Sequence, residues 1–194
     1  MIPHVALAGI SAAVLAYEVL LVRLFAIVQW HHFAFMAISI ALLGFGISGT
    51  LLAIWQEWAG SRFRTIFAAS AILFGMSAPI SFLVAQALPF NALAVVWEPE
   101  QLLYLPIMYL LLVVPFLFGA TCIGISFVCL GDEAGRVYAY NLIGSAVGAL
   151  GIIGVLFVVT PQDALKLVAI LSLSSAAVIS LHERLALRSA LVTS

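Results

Sequence analysis

Apolar residues occur along this chain in long uninterrupted blocks, and most polar residues fall in the short segments between them. A helix needs about 20 apolar residues to cross a hydrocarbon core ~30 Å thick. Because the blocks lack the two-residue alternation of a barrel strand, they predict an all-α, polytopic membrane bundle that forms a single domain over residues 1–194. The six predicted spans cover residues 2–28, 33–55, 65–88, 102–129, 137–160 and 164–181.

The composition restricts both the solvent that can surround the protein and the partners that it can bind. Of the 194 residues, 65% are hydrophobic and only 8% are charged, whereas a soluble domain carries about 25% charged residues. The surface is therefore expected to face a lipid bilayer. The net charge of −1 offers no clustered basic surface for phosphate groups, so nucleic acid is excluded as a partner.

Basic residues predict the orientation, since Lys and Arg near the ends of spans stay on the cytoplasmic side. If the N-terminus is cytoplasmic, the only basic residue in the outer loops is Lys166. Both termini are therefore predicted to be cytoplasmic, and the short connections predict that consecutive helices pack antiparallel. The basic residues on the cytoplasmic side are then Arg62, Arg64, Arg136, Arg184 and Arg188.

Small residues mark a predicted contact face on the second span. Ser39, Gly46 and Thr50 fall on one stripe of a helical wheel, and such residues let membrane helices approach closely. Residues 44–49, GFGISG, also match the dinucleotide-binding pattern G-x-G-x-x-G. That pattern functions at a strand-to-helix turn, so helix packing is the preferred interpretation inside an apolar span.

A second small-residue stripe lies on the fifth span. Gly144, Gly148 and Gly151 recur at intervals of four and three residues and share a face with Tyr140 and Asn141. A polar group on a contact face of a membrane helix most often hydrogen-bonds a neighbouring helix. The stripe therefore predicts a helix contact with a polar member, and a ligand-binding role for the asparagine is the alternative.

Glu18 and Arg23 are the formal charges that fall well inside a span. Ionisable residues within a membrane are costly and count as functional candidates. The two side chains lie about 140° apart around the helix, so each is expected to need its own partner on another helix. For Glu18 the alternative is a protonated, hydrogen-bonded structural acid. For Arg23 it is an aliphatic stem that carries the charge to the outer interface.

Histidine and cysteine give only weak indications of a bound group. His31 and His32 sit in the turn between the first two spans without nearby acidic or cysteine ligands, so an interfacial role is favoured over metal or haem ligation. Cys122 and Cys129 lie seven residues apart in one apolar run and are expected to be unpaired. No metal and no cofactor is predicted.

Several motifs of this chain resemble a known family. The segments 9–13 (GISAA), 17–19 (YEV), 23–24 (RL), 115–119 (PFLFG) and 135–148 (GRVYAYNLIGSAVG) are similar to the membrane half of bacterial spermidine synthase-like, polyamine aminopropyltransferase-like proteins. In such proteins a soluble Rossmann-like domain follows the membrane domain and binds decarboxylated S-adenosylmethionine and a polyamine. The resemblance implies a location in the bacterial inner membrane. The catalytic domain is expected to be absent from this chain.

The sequence supports one main hypothesis for function and two alternatives. The main hypothesis is a non-catalytic membrane module that serves as an anchor or accessory subunit, in a homo- or hetero-oligomer held by helix–helix contacts. The first alternative is a small carrier or channel for a cationic or amphipathic metabolite, with Glu18 as its intramembrane site. The second is a redox subunit that holds haem or quinone through His4, His31 and His32.

Overall fold

The computed structural model describes residues 2–28, 34–90 and 97–192. Within these ranges the chain forms seven α-helices and one short 3-10 helix and contains no strand. Six of the helices are long and apolar enough to cross a membrane, so the predicted all-α fold with about six spans is confirmed. The helices are α1 (Ile2–Val28), α2 (Ala34–Ile54), α3 (Gln56–Gly60), α4 (Phe63–Ala87), α5 (Gln101–Cys129), α6 (Ala134–Val155) and α7 (Pro161–Val192).

The boundary between the last two spans differs from the predicted one. Helix α6 ends at Val155 and α7 begins at Pro161, whereas the hydropathy pattern placed these bounds at 160 and 164. The side-chain oxygen of Thr160 accepts a hydrogen bond from the backbone N–H of Asp163 at 3.3 Å. This interaction caps the start of α7, and proline suits its first position. The polar cap, which hydropathy does not detect, therefore sets the start of the helix.

Helix α1 lies at the centre of the bundle, in contact with α2, α5, α6 and α7. Helix α4 packs between α5 and α7, and α2 packs on α5. The expectation that consecutive helices pack as antiparallel neighbours is wrong for α6, which packs mainly on the non-consecutive α1. Contact with the central helix α1 therefore determines where α6 packs, more than the short connections to its neighbours in sequence do.

The interior of the bundle is built from aromatic and aliphatic side chains. Tyr17 of α1, Phe67 and Phe74 of α4, and Phe116 of α5 are fully buried. Glycine and serine let the helices around them approach closely. The Ser172 hydroxyl of α7, for example, donates a hydrogen bond to the Ala71 carbonyl of α4 at 2.6 Å.

The outer surface of the bundle is also apolar. Leu42, Leu103 and Leu150, on three different helices, are each largely exposed. A water-soluble protein seldom exposes contiguous apolar surface on this scale. The six long apolar helices and this surface together indicate that the protein resides in a lipid bilayer.

Candidate functional site

Helices α1 and α6 meet along a seam of small residues. A Cβ atom built on Gly144 would collide with the carbonyl oxygen of Ala8, and one built on Gly148 would collide with that of Ala12. Backbone atoms, which cannot rotate away, occupy the space in both cases. The two contacts advance in the same direction along both helices, so α1 and α6 run parallel.

The seam has the composition of a tight membrane-helix contact. Two glycines four residues apart on α6 face two alanines four residues apart on α1, which is a small-xxx-small arrangement on both helices. A Cα hydrogen of each glycine points toward a carbonyl oxygen, and such Cα–H···O contacts contribute about 0.5–1 kcal/mol each. Gly151 was predicted to share this face, but it is exposed and a Cβ there would meet nothing within 4 Å. That part of the prediction is corrected: the seam ends before Gly151.

A polar contact lies within the same seam. The hydroxyl of Ser11, which is fully buried, donates a hydrogen bond to the side-chain oxygen of Asn141 at 2.8 Å. Asn141 therefore bonds the neighbouring helix. Tyr140 lies against His4 of α1, with ring centroids 5.3 Å apart.

The Ser11–Asn141 bond is expected to couple α1 to α6 energetically. In a double-mutant cycle with Ser11→Ala and Asn141→Ala, the coupling free energy of unfolding should be about 0.6 kcal/mol and at most about 1.7 kcal/mol, the mean and the maximum found for hydrogen bonds between membrane helices. Denaturant titration in detergent micelles would measure it. The control is a second cycle in which Ser174→Ala takes the place of Ser11→Ala, because the Ser174 hydroxyl donates a hydrogen bond to the Leu171 carbonyl of its own helix. Coupling equal to that control would contradict the bond.

A charged group closes the seam at the end that carries the N-terminus. The buried His4 has its Nε2 atom 3.3 Å from a carboxylate oxygen of Glu133, which lies in the 3-10 helix Gly131–Glu133 before α6. The imidazole and the carboxylate are in close contact without an aligned hydrogen bond. Glu133 also accepts a hydrogen bond from Arg136 at 3.2 Å. Sequence reasoning considered His4 only as a redox ligand, whereas the fold gives it a structural contact.

Glu18 lies on the same stripe of α1 as Ser11, seven residues further on. Glu18 is half-buried, and no described residue forms an ion pair or hydrogen bond with it. Its predicted interhelical partner is therefore not found in the described part of the chain.

Arg23 is exposed near the end of α1. The described ion pairs do not include it, so the partner expected on another helix is not found among the described residues, and the exposure of Arg23 favours the alternative position at the interface. Its position five residues before Val28 lets the long side chain reach the interface while its stem stays in the apolar layer. No described residue forms an ion pair with its guanidinium, which can meet an anion at that level.

The predicted contact stripe on α2 does not face another helix in the described part of the chain. Ser39, Gly46 and Thr50 are all exposed, and a Cβ on Gly46 would meet nothing within 4 Å. The two hydroxyls instead donate hydrogen bonds to carbonyl oxygens of α2 itself. The internal contact uses Gly44, whose Cβ would collide with Phe116 of α5. The helical wheel correctly places these small residues on one stripe of α2, but the face of α2 that packs inward is a different one, which carries Gly44.

Tyr17 is a buried polar residue that sequence reasoning did not single out. Its ring packs edge-on against Phe74, with centroids 5.9 Å apart, and tilted against Phe116 at 5.2 Å. The hydroxyl is buried and has no hydrogen-bond partner among the described residues. Tyrosine next to Glu18 in an otherwise apolar helix was the available signal, but only the fold shows that it faces the core.

The two candidate metal ligands His31 and His32 lie outside the described residues. Within the described ranges, no group of three or more histidine, cysteine, aspartate or glutamate side chains is placed to hold a metal ion. Cys122 is buried and Cys129 is half-buried, and both are free thiols.

Comparison with protein-family models, with curated proteins and with solved structures gives no match for this chain. The candidate site therefore has to be interpreted from its own geometry. Within the described chain, that geometry consists of a tight α1–α6 seam, an open small-residue stripe on α2, and an arginine near one membrane surface.

Proposed function

We propose that this chain is a non-catalytic integral-membrane module that acts as an anchor or accessory subunit through helix–helix contacts. In this proposal the chain corresponds to the membrane half of the spermidine synthase-like proteins that it resembles, and it resides in the bacterial inner membrane. The partner is a further membrane helix, contributed by a second copy of the chain or by another protein.

Polar contacts between the described helices support this proposal because they serve cohesion. Ser11 bonds Asn141 across the α1–α6 seam, and the Ser48 and Thr121 hydroxyls bond each other at 2.9 Å between α2 and α5. Polar side chains with these roles hold helices together and are not free to bind a substrate. The carrier alternative has less support, because it rests on Glu18 alone, which forms no hydrogen bond or ion pair with a described residue.

The observation that carries the proposal is the open stripe on α2. Four small or short polar residues, Ser39, Gly46, Gly49 and Thr50, are exposed on this helix. A Cβ built on either of the two glycines would meet no other atom within 4 Å. In lipid there is no hydrophobic force between helices, so close backbone approach at small residues is a principal source of association. This stripe offers such an approach to a partner helix.

Blue-native electrophoresis of native membranes solubilised in mild detergent tests the proposal. The wild-type protein should migrate in a complex heavier than the monomer. Gly46→Leu places a large side chain on the open stripe and should shift the protein to the monomer position. Gly154→Leu is the matched control, because Gly154 is also exposed with open space around it.

The outcomes separate the parts of the proposal. A wild-type protein that migrates only as a free monomer would contradict the accessory-subunit role. A complex that survives Gly46→Leu as well as it survives Gly154→Leu would show that the partner binds elsewhere and would remove the α2 stripe from the proposal.

A further inference from the structure

A groove runs between α1, α6 and α7 and has a volume of about 230 Å³. Its floor is made of small residues, with Ala12 and Ala16 on α1 and Gly148 and Gly151 on α6. The groove faces the outside of the bundle, since several of its walls are exposed. The remaining lining residues are Val147, Ile152, Val155, Leu167, Val168 and Leu171.

The lining is entirely apolar, which restricts the chemistry of an occupant. Alanine, glycine, valine, leucine and isoleucine offer no side-chain donor or acceptor. A polar metabolite placed there would lose its hydrogen bonds to water without replacement. An alkyl chain loses nothing in the exchange, and methyl and methylene groups fill such a surface well.

Positive charge lies beyond one end of the groove. Ala16 and Arg23 are seven residues apart, which returns them to within about 20° of the same face of α1 and separates them by about 10 Å along its axis. Arg23 therefore continues the groove stripe toward the membrane surface where α6 ends and α7 begins. Its guanidinium is exposed and has no ion pair among the described residues.

A second cation lies at the same end of the bundle but is already engaged. Lys166 directly precedes the groove residue Leu167. Its ammonium is 2.8 Å from a carboxylate oxygen of Asp163 in the first turn of α7. Among the described residues, the cation above the groove that forms no ion pair is therefore Arg23.

We propose that the groove seats an acyl chain of a bilayer phospholipid whose phosphate is bound by Arg23. An apolar groove within the bilayer and an unpaired guanidinium at its surface match the two ends of this amphiphile. Guanidinium is suited to phosphate because its N–H donors can form two parallel hydrogen bonds with it. The site is separate from the open stripe on α2, so it does not depend on the proposed function.

Native mass spectrometry of the full chain in mild detergent, titrated with phosphatidylglycerol, tests this site. The wild-type protein should retain one lipid. Arg23→Gln should weaken binding about tenfold, corresponding to loss of a charge-assisted hydrogen bond. Arg136→Gln should leave the affinity unchanged, because that arginine is at the opposite end of the bundle. Diacylglycerol, which lacks the phosphate, should bind the wild-type protein more weakly than phosphatidylglycerol, and inorganic phosphate alone should not bind.

Filling the groove provides an independent test. Gly151→Leu introduces a side chain into the groove and should also reduce lipid retention, whereas Gly154→Leu should not. Protection of the buried Cys122 from a thiol dye verifies that each variant is folded. Equal affinities of Arg23→Gln and Arg136→Gln would overturn the phosphate contact. Unchanged lipid retention by Gly151→Leu, or a bound second protein lost in that variant, would overturn the acyl-chain site.

Discussion

Replacing Gly144 by alanine is expected to destabilise the protein by about 1–3 kcal/mol, the usual cost of overpacking. The added methyl group would meet the Ala8 carbonyl oxygen. A backbone atom cannot rotate away as a side chain can, so α1 and α6 must separate. Gly148→Ala should have a similar effect through Ala12. The separation would also lengthen the Ser11–Asn141 hydrogen bond.

Gly151→Ala is a control for which stability is expected to change in the opposite direction. Gly151 lies on the same helix with open space around it, so alanine there should raise helix stability by about 0.5–1 kcal/mol. Denaturant titration in detergent micelles measures these changes, with the reaction of the buried Cys122 as the signal for unfolding. The half-buried Cys129 is replaced by serine throughout, so that it does not react first. Equal effects of Gly144→Ala and Gly151→Ala would contradict the seam.

The fold class and the approximate spans could be predicted because they depend on local apolar content. Each apolar block exceeds the length that a membrane crossing requires, so six spans follow from hydropathy alone. The contact role of Gly144 and Gly148 also has a local signal, since contact faces of membrane helices are enriched in small residues spaced four apart. Such features are encoded within a single helix.

The pairing of helices could not be predicted in the same way. Which stripe of α2 faces inward depends on α5, where Phe116 accepts Gly44 and leaves Gly46 outside. In a soluble helix, polarity distinguishes the two faces, but a membrane helix is apolar on both. The partner expected for Glu18 is likewise not encoded in its own helix, and it is not found among the described residues.

Replacing Tyr17 by alanine is expected to cost about 3–5 kcal/mol of unfolding free energy, as is typical for removal of a buried aromatic ring. The ring fills the space between α1, α4 and α5, where it contacts Phe74 and Phe116. Its removal leaves a cavity that three helices cannot close together. Tyr138→Ala is the matched control, because Tyr138 is exposed and its loss should change stability by less than about 0.5 kcal/mol.

Tyr17→Phe separates the ring from its hydroxyl. The hydroxyl is buried without a described partner, and burying an unbonded hydroxyl costs about 1–3 kcal/mol. Phenylalanine keeps the ring contacts and removes that cost, so the variant should be as stable as the wild type or more stable. The same denaturant titration measures both variants. A loss of 1 kcal/mol or more in Tyr17→Phe would instead show that the hydroxyl is hydrogen-bonded. Removing the oxygen lowers stability only if the oxygen forms a hydrogen bond in the folded protein. Stability retained in Tyr17→Phe and lost in Tyr17→Ala would assign the residue to packing of the core.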